Sequence, residues 1–210
     1  PARLTPNVLL SAAVALSVIL AAVMLGLAMD QRWLGLKLEA QPRLAIPASF
    51  EGLWIDAIEH DSPAAEQPGA GIPASVASLV RIGGPDQRSI QLTPQDLMEE
   101  PDALETYAGM RAFFARQDEI AGILRSIGGV ELGVAFLGET QTYSVSPKRQ
   151  RPVASLPPSF WMQIGVGLAG FWIGAWVWSL RRGGWATRFL FLAGAGLVIS
   201  AFPAAVYSTR

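Results

Sequence analysis

His60 is the only histidine of the chain, and nothing near it supplies the Glu-x-x-His partner with which an imidazole would hold a metal. An imidazole can sense pH or a ligand, yet the run Asp61-Ser62-Pro63 behind it is a cluster of turn formers, which fits a solvated turn histidine. Gly83-Gly84-Pro85 and Gly69-Ala70-Gly71 lack the lysine and the spacing of a phosphate-cradling loop and read as turns. No Gly-x-Ser-x-Gly nucleophile elbow occurs. Glu99, Glu100 and Asp102 cluster where a long helix is expected to begin, and the helix dipole favours negative charge there without any metal. Zero cysteines exclude disulfides, thiolate chemistry, iron–sulfur clusters and Cys-ligated zinc. No catalytic residue, metal site or cofactor is therefore expected.

The remaining candidate is Trp33-Leu34-Gly35-Leu36-Lys37-Leu38, a strand-like run with a glycine inside it, which marks the close approach of another backbone. It reads either as a binding edge or as the strand that closes a domain. Strands are expected at Gly52-Leu53-Trp54-Ile55-Asp56-Ala57-Ile58, over 76–82 and over 89–92, with a short helical turn at Ala64-Ala65-Glu66. Thr93-Pro94-Gln95-Asp96 is a helix start, a capping hydroxyl followed by proline at the first position. Pro101-Asp102 then restarts a longer helix, with Leu104, Tyr107, Met110 and Phe114, then Ile120, Ile123, Leu124 and Ile127 at helical spacing, ended by Gly128-Gly129. Val130, Leu132, Val134 and Phe136 alternate along a strand, and Gly138-Glu139 turns the chain into a partner through Tyr143 and Val145.

These elements occupy one stretch between apolar blocks. Residues 8–29, 160–180 and 189–207 contain no charge, and at about 1.5 Å rise each block of about 20 residues matches a hydrocarbon core of about 30 Å. The first is too long for a signal peptide's apolar region of about 7 to 15 residues, so an uncleaved anchor is expected. All 17 acidic residues fall between Asp30 and Glu139; with 11 basic residues, the stretch 30–157 carries −6, a poor partner for nucleic acid. The positive-inside rule assigns the loop with Arg181, Arg182 and Arg188 to the cytoplasm, and hence the amino terminus inside and residues 30–157 outside. Lys148, Arg149 and Arg151, just before the second span, argue against that orientation. Trp33, Trp161, Trp178 and Trp185 fall near block ends, whereas Trp172 and Trp176, with Gly165 and Ala169, suggest a helix-packing face. The chain stops soon after the third span and lacks an initiator methionine, which is expected of part of a longer protein with further spans.

The expected organisation is a signal-anchor helix within 1–29, an extracytoplasmic domain over 30–146, a proline-rich tether over 147–159, a helix over 160–180, a basic loop over 181–188, a helix over 189–207 and the start of an outer loop over 208–210. With only Asp30 to Arg32 joining the first span to the domain, about 10 Å at most, the domain is expected on the membrane surface and coupled more directly to the first helix than to the second.

Gly52-Leu53-Trp54-Ile55, Asp61-Ser62-Pro63-Ala64-Ala65 and Ala70-Gly71-Ile72, together with Trp33-Leu34-Gly35-Leu36 and the final hairpin, resemble a bacterial PDZ-like domain over about 110 residues. The Gly-Asp usual after the small-residue step is replaced near Pro73-Ala74-Ser75, and the region 94–127 is longer than such a domain needs. The resemblance implies an α+β fold with a small antiparallel sheet or barrel and a long helix. It also implies a groove in which Leu34, Gly35 and Leu36 offer backbone amides to a peptide carboxylate and the edge strand through Leu38 pairs with the peptide.

The order of spans and domain, with Leu156-Pro157-Pro158-Ser159-Phe160-Trp161 and Phe202-Pro203-Ala204-Ala205-Val206-Tyr207-Ser208-Thr209-Arg210, resembles the input half of a bacterial multi-span sensor histidine kinase of the competence and quorum-sensing type. That likeness implies an inner-membrane sensory module, responding to a peptide or small-molecule signal and homodimeric within a larger receptor, with its kinase outside this chain. The alternative is a membrane-anchored PDZ-like scaffold that recruits an envelope protein without signalling output.

Overall fold

The computed structural model describes residues 6–40, 51–67, 71–98, 104–181 and 184–209. In chain order the elements are α1 (Pro6–Met29), β1 (Leu36–Glu39), β2 (Leu53–Ile58), β3 (Ser78–Gly83), β4 (Ser89–Gln91), a 3-10 turn (Pro94–Leu97), α2 (Tyr107–Leu124), β5 (Val130–Phe136), β6 (Glu139–Val145), another 3-10 turn (Val153–Ser155), α3 (Pro158–Leu180) and α4 (Trp185–Tyr207). They fall into two compact units, Arg32–Gln150 and the pair Pro1–Gln31 with Arg151–Arg210.

Uncharged sequence without proline beyond the first turn makes α1 and α3 long, and they end where charge returns, at Asp30 and Arg181. α1, α3 and α4 are each long and apolar enough to cross a membrane, with mean hydropathies of 2.8, 1.4 and 2.1. Pro158 occupies the first turn of α3, where its missing N–H costs nothing, and so the helix begins before the apolar block does. α4 likewise begins at Trp185, which places Trp185 and Arg188 of the basic connection inside the helix, the guanidinium 5.1 Å from the indole.

Glycine sets how closely α3 and α4 approach. A Cβ on Gly194 would lie 2.5 Å from the Gly170 carbonyl oxygen, and one on Gly174 would lie 2.8 Å from that of Leu190. Gly167 sits against the Phe202 ring in the same way. In a span, where lipid is as apolar as leucine, such backbone approach is what makes helix association favourable. Phe160, Phe171, Val198 and Phe202 fill the rest of the seam. The face suggested by Gly165, Ala169, Trp172 and Trp176 is not this seam: Gly165, Ala169 and Trp176 are exposed, and the inward row is the one carrying Gly167, Gly174 and Ala175. Trp172 does meet α1, its indole N–H donating to the fully buried Ser17 hydroxyl at 2.8 Å. Trp178 stacks on Phe191 at 4.8 Å.

The other unit is an α+β fold around one antiparallel sheet of order β1-β2-β3-β5-β6, with β4 pairing β3. Alternation buries Leu53 and Ile55 of β2, Leu132 and Val134 of β5, and Val145 of β6, whereas Leu79 and Ile82 of β3, three residues apart, both reach the core because the register of β3 against β5 shifts between Leu79 and Arg81. Truncating one of these, such as Leu132, costs about 2–5 kcal/mol. β5 and β6 are joined through Leu137 and Gly138, both at positive φ (50° and 84°), the two-residue turn that matches strand twist.

α2 is shorter than the apolar spacing suggests. Thr106 caps it, accepting the Gly109 N–H at 3.0 Å, so Leu104 precedes the helix; Ile127 lies beyond its last residue, Leu124, and is 97% exposed. Pro101 and Asp102 lie outside the described residues. The buried face also differs, since Phe113 is buried while Tyr107 and Phe114 are exposed. The inward row runs through Phe113, Arg116, Gln117, Ile120 and Ile123, and its two polar members hide it from a count of apolar residues.

Replacing Gly194 by leucine is expected to open the α3–α4 seam, an overpacking cost of at least about 1–3 kcal/mol, while Gly196→Leu, with nothing within 4 Å of its Cβ, is expected to be neutral. Denaturation in detergent, followed through the fluorescence of Trp178, distinguishes the two.

Candidate functional site

Gly35 sits at φ +79°, and a Cβ there would lie 2.0 Å from Ser62 Cβ. Only glycine fits both the conformation and the space. Ser62 is fully buried because it opens the turn after β2: its carbonyl accepts the N–H groups of Ala65 (3.0 Å) and Glu66 (3.1 Å), and its hydroxyl also accepts from Ala65. That turn clasps the run that carries Gly35. Glu59 N–H donates to the Gly35 carbonyl at 2.8 Å, and Ala64 N–H to the Leu34 carbonyl at 3.1 Å.

The candidate residues are thereby brought together on one edge. Leu34, Leu36 and Leu38 pack their side chains against the core, Lys37 is exposed, and β1 ends the sheet path with β2 as its neighbour. A ligand at this edge would meet backbone rather than apolar side chains, which is the requirement for strand addition. The register between β1 and β2 shifts between Lys37 and Leu38, a bulge that bends the edge. The close approach of Gly35 to Ser62 also explains the glycine with no ligand at all. A bulky residue at position 35 would displace the Ser62 turn, so such a variant tests the fold before it tests binding.

The incoming and outgoing backbones of this unit pair with each other. Trp33 N–H donates to the Lys148 carbonyl (3.1 Å) and Lys148 N–H to the Trp33 carbonyl (3.0 Å). The Lys148 ammonium lies 5.9 Å from the Trp33 ring and donates to the Asp61 carbonyl and, at 3.0 Å, to Glu66. In the helical unit, Arg151 N–H donates to the Met29 carbonyl at 2.9 Å, and its guanidinium to the carbonyls of Thr209 and Ser155. A cation at the carboxyl ends of α1 and α4 meets the negative ends of both helix dipoles. The proline-rich tether expected over 147–159 is thus fastened by hydrogen bonds at Lys148 and Arg151.

His60 is exposed in the turn after β2. Glu99, Glu100 and Asp102 lie outside the described residues.

The strongest polar constellation is one the sequence reading passed over. The Asp96 side chain, 3% exposed, pairs with Arg116 through two contacts of 2.5 and 2.9 Å, and also accepts from the Thr93 N–H at 2.8 Å. Arg116 reaches on to the Gln91 carbonyl, and Gln117 donates to the Asp96 carbonyl at 2.9 Å. The group fastens the 3-10 turn, β4 and the middle of α2 together. Its one sequence signal was Asp96 three residues after Thr93, a capping pattern; the partner 20 residues on carried none. Burial pushes the Asp96 carboxyl up, but hydrogen bonds from Arg116 and Thr93 outweigh it and hold the pKa below the ordinary 3.8.

Comparison with protein-family models, with curated proteins and with solved structures finds no match to this chain.

Because the folded Asp96 pKa is depressed, its contribution to stability is present above the unfolded value of about 3.9 and is lost as pH falls through the folded value. Asp96→Asn is expected to lower stability near neutral pH by about 1–3 kcal/mol and to flatten the acid limb below about pH 4, as read by chemical denaturation across pH.

Proposed function

We propose that the chain is a membrane sensory module. In this reading the α+β unit lies outside a bacterial inner membrane and perceives a peptide or small-molecule signal. The helices α1, α3 and α4 cross the bilayer and pass the change to a cytoplasmic histidine kinase region outside this chain.

One observation carries the reading. The segment leaving the α+β unit is hydrogen-bonded to the segment entering it at Trp33 and Lys148, and three residues later Arg151 holds carbonyls at Met29 and Thr209. A displacement of the outgoing segment would act on the ends of α1 and α4 as well as on the start of α3. A loosely tethered recruitment domain has no use for that coupling. In this reading Lys148 and Arg151, whose charge argues against an outside location, serve local contacts with the turn at 61–66 and with the helix ends. Ligand energy enters only as the difference in affinity between two states of these contacts. The scaffold alternative would use the same edge at Leu34–Leu38, so Gly35 does not separate the two readings.

The perception edge is tested by amide exchange on the full chain in lipid nanodiscs, with an apolar peptide ending in a free carboxylate and with its carboxamide. Protection centred on Leu34–Leu38, abolished by the carboxamide, is the expected result. Equal protection by both peptides, or none, removes the carboxylate loop. Reading the gene beyond codon 210 separates receptor from scaffold: a phosphoaccepting histidine and an ATP-binding region are expected, and an early stop codon contradicts the receptor.

A further inference from the structure

β6 is the other end of the strand path that begins at β1, and it differs from β1 in the features that decide whether an edge stays alone. β1 has four residues and a register shift, whereas β6 has seven residues paired to β5 without interruption, from Val130↔Val145 to Phe136↔Glu139. Its sequence, Glu-Thr-Gln-Thr-Tyr-Ser-Val, has no proline, no lysine and no bulge, the devices by which edges are protected. Six of its seven residues are exposed or half-buried, and among the described residues β5 is its one strand neighbour.

The direction of its unpaired backbone groups follows from the hairpin. A two-residue turn with both residues at positive φ closes on a hydrogen-bonded pair, here Phe136 and Glu139. Alternation then turns Gln141, Tyr143 and Val145 toward β5 and leaves the N–H and C=O of Thr140, Thr142 and Ser144 pointing away from it. Those three positions are symmetric about Thr142.

We propose that β6 pairs antiparallel with β6 of a second copy across a two-fold axis through Thr142, joining two sheets into one. This register, with Thr142 opposite Thr142 and Thr140 opposite Ser144, is the one that aligns all seven residues. It sets Glu139 opposite Val145, so the strand's single charge never faces its own copy, and it places Thr–Thr and Thr–Ser pairs, favourable cross-strand neighbours, on one face. Gln141 and Tyr143, already bonded to each other at 2.9 Å, meet Tyr143 and Gln141 of the second copy on the other face. The pairing is isologous and closed, so it makes dimers and not fibres. It does not depend on the signalling reading above, and holds equally for a scaffold.

The absence of cysteine makes the test direct. In the full chain in membranes, Thr142→Cys places two thiols on directly opposed residues about 5.5 Å apart at Cα, inside the disulfide range of about 4.4–6.8 Å. Mild oxidation is expected to give a dimer at least tenfold faster than for Glu139→Cys, whose copies lie about 20 Å apart in this register. Adding Ser144→Pro, which removes an outward N–H without touching the bonds to β5, is expected to suppress the Thr142 cross-link while strand β5 keeps its exchange protection. Equal rates for the two cysteines, a Thr142→Cys chain that stays monomeric, or a cross-link to a protein other than this chain overturns the proposal.

Discussion

The paired backbone at Trp33 and Lys148 is the constraint on which the rest depends. A domain inserted between two helices must return its chain to where it left, and closing a loop of more than 100 residues carries an entropic cost that grows with its length. Two hydrogen bonds at 3.0 and 3.1 Å, with the lysine ammonium held over the indole, hold that closure in place. β1 then begins within three residues of Trp33, and its Gly35 approach to Ser62 locks the turn that in turn receives the Lys148 side chain. Closure, edge strand and turn form one connected set of contacts.

The helical unit solves a different problem with the same economy. Glycines at 170, 174 and 194 let α3 and α4 touch backbone to backbone, and one buried hydroxyl, Ser17, ties α1 to Trp172. Arg151 gathers carbonyls at the ends of α1 and α4. Each helix keeps a broad apolar surface, with Leu16, Ile19 and Ile199 all more than half exposed, which suits lipid rather than water.

Much of this was legible in the sequence where one periodicity dominated. Three uncharged blocks gave the long helices, and alternation at 130–136 followed by Gly138 gave the final hairpin. What stayed hidden were features carried by pairs distant in sequence. Arg116 and Gln117 interrupt the apolar count of α2, so its first half points to Phe114 where Phe113 is the buried residue, while Ile120, Ile123 and Leu124 pack on the core as their spacing suggests. Gly165 and Ala169 looked like packing glycine and alanine because small residues recur on more than one face of α3. In the tether, proline count says nothing about which carbonyls Arg151 will find. At the candidate edge, the glycine in the strand-like run suggests the close approach of another backbone, whereas the atoms nearest to Gly35 are those of the Ser62 side chain, a neighbour visible only in three dimensions.

Residue-resolved amide exchange on the full chain in nanodiscs tests the closure directly. The account requires the N–H groups of Trp33 and Lys148 to exchange as slowly as that of Leu132 at the centre of β5, opening only when the whole α+β unit opens. Exchange of those two near the rate of a free chain, with Leu132 still protected, would contradict it.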